Sequence, residues 1–319
     1  MNTKHLMFGL VGVGVALSLL TATALPRRDA PGPGHIPIPT PNSGMLPQPD
    51  PDTDACATTA TNLPTPKLVT FPGPGVLTLH GYLYVPSGPG PFPAMIWNHG
   101  SEHMDRPGAG EQQELAKFYV KHGFVFFMPH RHGQGRSMEA GDYIVDLQNL
   151  MSSPEIDRSA TDEFDTKIHD WYNQDVLAAV SWLKKQPSVD PHRIAMSGCS
   201  YGGIQTVLTA QQNPGGVRAY VPFSPGAMSW ASPTIRTRLS QAVRRAKAPI
   251  FIVQARGDFS YPILTLGPII TAKGGLNKSK LYPQYGTTNE EAHGCFATKG
   301  GGIDVWGTDV IHFLNTAMK

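Results

Sequence analysis

Short apolar runs recur along the chain from residue 76 onward, separated by longer amphipathic stretches. Residues 124–128 (FVFFM) carry no polar side chain, which is typical of a strand buried on both faces. Residues 76–85 alternate well enough to predict another strand. Similar runs predict strands at residues 93–97, 193–196, 217–223, 250–255 and 280–285.

Helical patterns occupy most of the stretches between these runs. Residues 170–186 place Val176, Ala179, Val180 and Leu183 on one face of a helix. Further helices are predicted at residues 110–122 and 203–211, between the strands at 217–223 and 250–255, and at 304–317. This alternation predicts an α/β fold with a mostly parallel sheet flanked by helices, in a single domain.

Residues 137–169 fit this alternation poorly. The segment is polar, mixes charges and contains Pro154. We therefore expect an excursion over the edge of the sheet, where a lid or a substrate-binding segment could lie.

The N-terminus has the pattern of a processing signal. Lys4 and His5 precede a mainly apolar stretch at residues 6–20, and Ala22-Thr23-Ala24 follows as an A-x-A cleavage site. The stretch is short for a membrane span and contains three glycines, although a retained anchor is the competing interpretation. Residues 1–24 are therefore predicted to be a signal peptide, which makes the protein secreted or periplasmic, with no stable membrane insertion after cleavage.

Residues 25–66 are rich in proline and poor in large apolar side chains. Such a segment cannot bury enough surface to offset the entropy cost of ordering, so it is predicted to be a disordered spacer. The folded domain is expected to span residues 67–319.

The balance of basic and acidic residues bears on whether the protein binds nucleic acid. The chain of 319 residues has 26 Lys and Arg against 24 Asp and Glu, a net charge of +2. Phosphate recognition requires a concentrated basic surface, so a nucleic-acid partner is not expected. The sequence leaves the oligomeric state open.

The sharpest chemical motif is Gly198-Cys199-Ser200-Tyr201-Gly202, which matches G-x-S-x-G. It lies between a predicted strand and a predicted helix, the context in which a nucleophilic serine sits on a tight, strained turn. The helix N-terminus also directs backbone N–H groups and a positive dipole end toward a developing oxyanion. Ser200 is the predicted nucleophile.

A serine hydroxyl needs a base, and that base needs an acid to orient it. Asp258 follows the predicted strand at residues 250–255, and His293 lies on a predicted loop before the last helix. The order Ser200, Asp258, His293 is the Ser…Asp…His order of a catalytic triad on an α/β sheet. His312 and Asp304 are the rival base and acid, but they fall in the predicted C-terminal helix, where Asp304 resembles an N-cap.

An oxyanion hole requires two N–H donors. The first is expected from Tyr201, directly after the nucleophile. The second is expected from the loop after the strand at residues 93–97, at Ser101 or its neighbour Glu102.

The same loop contains His99-Gly100-Ser101-Glu102-His103, which matches the zinc signature H-x-x-E-H. That signature binds zinc from a helix, whereas this run follows a strand and precedes Pro107-Gly108. We therefore expect no metal and no other cofactor. His130-Arg131-His132-Gly133 is interpreted as a polar loop lining the cleft rather than a metal site.

Three cysteines are present: Cys56, Cys199 and Cys295. Disulfides are permitted in an exported protein. If Ser200 and His293 touch, Cys199 and Cys295 come close together, so a bridge pinning the two catalytic loops is predicted. The alternative is a buried free Cys199 with an unrelated Cys295.

From about residue 76 onward, the chain resembles the dienelactone-hydrolase-like branch of the α/β-hydrolases, which overlaps in pattern with prolyl-oligopeptidase-type domains. The resemblance rests on residues 98–101, 130–137, 198–203, 257–258 and 293–294. It implies a metal-independent hydrolase with Ser200, Asp258 and His293 as its triad. Many dienelactone hydrolases carry a cysteine nucleophile where this chain has serine. The cysteines beside Ser200 and His293 give a weaker resemblance to tannase and feruloyl-esterase-type enzymes, in which these neighbours are bridged.

Together these features predict a secreted serine hydrolase that cleaves a small-molecule or polymeric carboxylic ester through an acyl-enzyme. A serine peptidase or amidase is the first alternative, since the same triad serves both reactions. A catalytically silent envelope-binding module, tethered by the proline-rich segment, is the second.

Overall fold

The computed structural model describes residues 65–105, 110–151, 158–298 and 301–319. The predicted signal peptide and nearly all of the predicted spacer lie outside these residues. In the described part of the chain, no helix is both long enough and apolar enough to cross a membrane.

Within these ranges, eight strands form one mostly parallel sheet in the order β1-β2-β4-β3-β5-β6-β7-β8. They are β1 (Lys67–Pro72), β2 (Thr78–Tyr84), β3 (Phe92–Asn98), β4 (Val125–His130), β5 (Val189–Cys199), β6 (Val217–Phe223), β7 (Phe251–Arg256) and β8 (Lys278–Gln284). The β1–β2 and β2–β4 pairs are antiparallel, and every other pair is parallel. The predicted α/β class is confirmed.

Helices cover both faces of the sheet. They are α1 (Gln113–Lys121), α2 (Ile144–Met151), α3 (Arg158–Leu183), α4 (Tyr201–Gln212), α5 (Pro233–Arg245), α6 (Pro262–Thr271) and α7 (Ile303–Ala317). Helices α3 to α6 pack in the hydrophobic cluster on one face of the sheet. Helices α1 and α7 pack in the cluster on the other.

Strand β4 contributes side chains to both clusters. Phe126 and Met128 belong to the α1–α7 cluster, whereas Val125 and Phe127 belong to the α3–α6 cluster. Because successive side chains of a strand point to opposite faces, a strand covered on both sides must be apolar throughout. The apolar run in the sequence has this physical origin.

Residues 137–169 contain more helix than the sequence pattern indicated, and the expectation of an excursion over the sheet edge stays a prediction. A 3₁₀ turn at Gly135–Ala140 and helix α2 occupy the first part, and α3 begins at Arg158 rather than near residue 170. The described part of this segment is thus largely helical, and Pro154 lies outside the described residues.

The register of the central strands brings the predicted catalytic segments to one edge. Asn98 at the end of β3 pairs with Gly198, and Cys199 at the end of β5 pairs with Phe223. Since these strands are parallel, their carboxyl ends and the loops that follow meet at the same edge.

Candidate active site

Ser200 occupies the turn between β5 and α4 in a strained backbone conformation. Its φ of 57° and ψ of −120° lie in a region that side chains with a Cβ rarely adopt. Backbone hydrogen bonds hold the turn on both sides: Ser200 N–H donates to the Phe223 carbonyl at 3.2 Å, and Gly226 N–H donates to the Ser200 carbonyl at 3.1 Å. The predicted strand–turn–helix context of Ser200 is confirmed.

The glycines of the motif are required by close packing against the end of β3. A Cβ on Gly202 would lie 1.9 Å from the Asn98 carbonyl oxygen, and one on Gly198 would lie 2.6 Å from the same atom. Neither position therefore accommodates a side chain. The turn that carries Ser200 is pressed directly against the loop that follows β3.

His293 and Asp258 form a buried pair. The distance from His293 Nδ1 to Asp258 Oδ1 is 2.8 Å, and the residues are only 7% and 4% exposed. The Phe259 N–H donates to the same carboxylate oxygen at 2.7 Å. Gln254 Nε2 donates to the other oxygen, Oδ2, at 2.8 Å. Three donors thus fix the carboxylate, and the carboxylate in turn orients the imidazole.

His293 lies in a π-helical turn, Glu291–Cys295, rather than in the loop that the sequence predicts. Its Nε2 is buried and has no hydrogen-bond partner among the described residues. The Cys199 thiol donates to the His293 carbonyl at 3.6 Å, so the backbone of His293 adjoins the residue before Ser200. The structure therefore places the three predicted triad residues at the same end of the sheet.

The rival acid and base lie on α7 with exposed side chains. Both Asp304 and His312 are exposed to solvent. The N-cap of α7 is Gly302, so the prediction that Asp304 caps the helix is wrong, although Asp304 does lie in the first turn.

The two predicted oxyanion donors come from adjoining segments. Tyr201 is the first residue of α4, and its ring is buried. Ser101 lies just beyond β3, and its carbonyl accepts a hydrogen bond from the Tyr143 hydroxyl at 2.5 Å. The carboxylate of Glu102 folds back over Gly100, where a Cβ would lie 2.6 Å from Glu102 Oε2.

The predicted disulfide between Cys199 and Cys295 is wrong. Cys199 is a free thiol that is 1% exposed, and its Sγ faces the carbonyl of His293. Burial raises the pKa of Cys199 well above its ordinary value, which keeps the group neutral and unreactive. The segments that carry Cys199 and Cys295 lie close together, but the two cysteine side chains do not point toward each other.

The loop that the sequence predicts as a cleft lining is instead buried. His130, Arg131 and His132 are each at most 1% exposed. His132 forms a second buried histidine–aspartate pair, with 2.6 Å between its Nδ1 and Asp175 Oδ2. In the described ranges, no group of three or more His, Cys, Asp or Glu side chains is placed to hold a metal ion.

Gln254 is a functional candidate that the sequence reasoning missed. It lies in β7, is fully buried, and also donates to the Ser260 carbonyl at 2.6 Å. A single polar residue in the apolar run IFIVQA was the available signal, because a buried amide requires hydrogen-bond partners.

A mostly parallel sheet with helices on both faces and a serine on a strained strand-to-helix turn defines an α/β-hydrolase fold. The model of the dienelactone hydrolase family matches residues 79–286, more than half of the chain. The chain therefore belongs to the dienelactone hydrolase family, and the resemblance inferred from the sequence motifs is confirmed.

Solved structures with the same fold include esterases and peptidases. A Klebsiella pneumoniae protein classed as a dienelactone hydrolase is 19% identical with a TM-score of 0.57, over 79% of this chain and 99% of that one. A Pyrococcus furiosus esterase is 16% identical with a TM-score of 0.57, over 80% and 94%. The acylaminoacyl peptidase of Pyrococcus horikoshii is 14% identical with a TM-score of 0.57, over 81% of this chain but only 42% of the peptidase.

These identities are low, so the likeness concerns the fold alone. No curated protein matches the chain.

Proposed function

We propose that the protein is a serine hydrolase that cleaves carboxylic esters through an acyl-enzyme, with Ser200 as nucleophile, His293 as base and Asp258 as the orienting acid. The observation that carries the proposal is the 2.8 Å His293–Asp258 contact, which leaves the buried Nε2 of His293 without a partner among the described residues. That nitrogen is the one that would accept the proton of Ser200. Family membership supports a hydrolase, and an esterase with the same fold is among the solved structures.

In the proposed reaction, His293 Nε2 takes the proton of the Ser200 hydroxyl as its oxygen attacks the ester carbonyl carbon. Asp258 holds the proton on Nδ1 and stabilises the imidazolium that forms. The N–H groups of Tyr201 and Ser101 donate to the oxyanion. His293 then protonates the leaving alcohol. In the second half, it activates the water molecule that hydrolyses the acyl-enzyme.

The decisive experiment measures hydrolysis of short-chain p-nitrophenyl esters by the wild type and by Ser200→Ala. Loss of a triad nucleophile lowers kcat by about 10⁶-fold, so the variant should fall to background. Ser181→Ala is the matched control, because Ser181 lies on the exposed side of α3. Ester hydrolysis that survives Ser200→Ala would disprove the assignment of the nucleophile.

Comparing kcat/KM for an ester and an anilide that share the same acyl group tests whether the protein prefers esters or amides. We expect a far larger kcat/KM for the ester than for the anilide. A higher kcat/KM for the anilide would make the protein an amidase or peptidase with the same triad. A fluorophosphonate probe separates both from a silent binding module, because it labels an activated serine whatever the natural substrate is.

We also propose that the protein is exported, on the sequence pattern of residues 1–24. Expression of the full chain in a bacterial host, followed by fractionation and N-terminal sequencing, tests this. A mature N-terminus close to residue 25 outside the cytoplasm supports export. An intact N-terminus in the cytoplasmic fraction contradicts it.

A further inference from the structure

A fully buried arginine joins the two segments that are expected to supply the oxyanion donors. We propose that Arg131 is a positioning residue that sets the geometry of the oxyanion hole formed by the Ser101 and Tyr201 N–H groups. This inference rests on the proposed esterase function. Arg131 touches neither substrate nor Ser200 in the proposal, and it acts through the backbone of the loop after β3.

One guanidinium nitrogen holds the carbonyls at the start of that loop. Arg131 Nη2 donates to the His99 carbonyl at 2.8 Å and to the Gly100 carbonyl at 2.5 Å. In a trans peptide the C=O and the following N–H point in opposite directions. Carbonyls turned toward Arg131 therefore direct the N–H groups of Gly100 and Ser101 away from it.

The ring of His99 contacts both Arg131 and the start of this loop. Its Nε2 accepts a hydrogen bond from the Arg131 backbone N–H at 3.1 Å, so Nε2 carries no proton. Burial and the neighbouring Arg131 lower the pKa of His99 well below its ordinary value, so the ring is neutral. Its Nδ1 lies 3.0 Å from the Gly100 carbonyl oxygen and 2.8 Å from Arg131 Nη2. The His99 ring therefore packs between Arg131 and the start of the loop after β3.

Gln134 holds a further carbonyl of the same loop. Its Nε2 donates to the Glu102 carbonyl at 2.7 Å, and its Oε1 accepts from Arg131 Nη2 at 3.3 Å. Arg131 and Gln134 therefore draw the carbonyls of residues 99, 100 and 102 to one side of the loop.

The other half of the oxyanion hole also contacts Arg131. The guanidinium carbon lies 4.8 Å from the centroid of the Tyr201 ring, which is a cation–π contact. Tyr201 supplies the first N–H of the pair, and Ser101 supplies the second. Arg131 thus contacts the residue that carries the first donor through its ring, and the loop that carries the second through Nη2.

Lysine at this position would keep the charge, but its shorter side chain does not carry a donor to the place of Arg131 Nη2, which makes Arg131→Lys the informative variant. We expect its kcat to fall by about 10²-fold with KM nearly unchanged, as when one oxyanion donor is lost. The affinity for a trifluoromethyl ketone, which forms a tetrahedral adduct with the serine, should fall in parallel. Affinity for the product carboxylic acid should not change.

The matched control is Arg136→Lys, on the same loop. Arg136 is exposed and donates through Nε to the Tyr82 hydroxyl at 2.9 Å, away from the oxyanion segments. It should retain wild-type kcat. If Arg131→Lys does not fold, Gln134→Met replaces it, with a smaller loss expected in the same two measurements.

The outcomes separate the two proposals. If the wild type shows Ser200-dependent ester hydrolysis but Arg131→Lys keeps full kcat and full ketone affinity, the positioning role is disproved. A folded variant with a lower melting temperature and unchanged kcat also disproves it, since Arg131 would then be only structural. If the wild type cleaves no ester, the proposed function fails, and this inference fails with it.

Discussion

Gln254 and Asp258 are joined by a 2.8 Å hydrogen bond from the amide of β7 to the carboxylate oxygen that does not face His293. Gln254 also accepts from the Ile263 N–H at 3.3 Å, at the start of α6. One buried amide therefore joins the Asp258 carboxylate to the strand before it and to the helix after it. It is one of three donors that hold this carboxylate.

Gln254→Met removes both hydrogen-bonding groups and keeps a similar shape. We expect kcat for ester hydrolysis to fall by roughly tenfold or more with little change in KM, because a freer carboxylate orients His293 less well. Steady-state kinetics measure the change. Gln212→Met, at the exposed end of α4, is the control. Unchanged kcat for Gln254→Met would show that Phe259 N–H and His293 suffice to hold Asp258.

Gly202→Ala places a methyl group 1.9 Å from the Asn98 carbonyl oxygen if nothing moves. The contact is with backbone, so relief requires the loop after β3 to shift. We expect a loss of stability of about 1–3 kcal/mol and a loss of activity, because Ser101 lies on that loop.

Gly215→Ala is the control for the glycine substitution, since the nearest atom to a methyl group at that position is Lys184 Nζ, 3.9 Å away. Thermal melts and ester kinetics follow both variants. Normal activity in Gly202→Ala would mean that the loop does not need its present position.

Ser200→Gly and Ser200→Ala should differ in stability although both are inactive. The backbone at Ser200 has φ 57° and ψ −120°, which glycine adopts with little strain and alanine does not. We expect the glycine variant to be more stable than the alanine variant by about 1 kcal/mol, despite the greater entropy of its unfolded chain. Urea unfolding measures the difference. Equal stabilities would mean that the turn stores no strain.

Cys199 should resist thiol reagents in the native protein. Cys199 is 1% exposed and burial raises its pKa, so a reagent cannot reach the sulfur and the reactive thiolate form is scarce. Maleimide treatment followed by peptide mass spectrometry should find Cys199 unmodified in buffer and modified in concentrated urea. Rapid native labelling of Cys199 would contradict the burial of this segment.

His169 should make the protein less stable in mild acid. Burial lowers the pKa of His169 from 6.5 to about 4, and its ring nitrogens have no hydrogen-bond partner in the described part of the chain. Between these two values the unfolded chain binds more protons than the folded chain, so the free energy of unfolding decreases as the pH falls. The contribution is fully present above pH 6.5 and is lost progressively below it.

His169→Phe should remove this dependence. Between pH 7 and pH 5, the wild type should lose about 2 kcal/mol more than the variant in urea unfolding. His312→Phe replaces an exposed histidine and serves as the control. Parallel pH profiles for the wild type and His169→Phe would show that His169 is protonated in the folded protein.

The sequence predicted the parts of the molecule that local patterns determine. Strands such as β4 are apolar because both faces are covered. The turn at Ser200 has glycines because the backbone of the loop after β3 packs against them. The positions of Asp258 and His293 followed from chain order and from the rule that parallel strands share a functional edge.

The missed features depend on contacts between distant segments. Arg131 is 31 residues from the Gly100 carbonyl that it binds, and no local pattern reports that contact. The cysteine pairing failed for a related reason, because side-chain direction depends on the π-helical turn at His293. The helices of residues 137–169 were not predicted, because this segment is rich in charged and polar residues and most of α3 before Ile168 shows little apolar periodicity.

The position of β8 at the edge of the sheet has a consequence for synthesis. Ser200 and the loop at Ser101 precede β8 along the chain, but His293 follows it. A chain emerging from the ribosome therefore contains the proposed nucleophile long before the proposed base is made. On the proposed mechanism Ser200 stays unactivated until the last strand has joined the edge, so hydrolytic activity appears only when the whole sheet is complete.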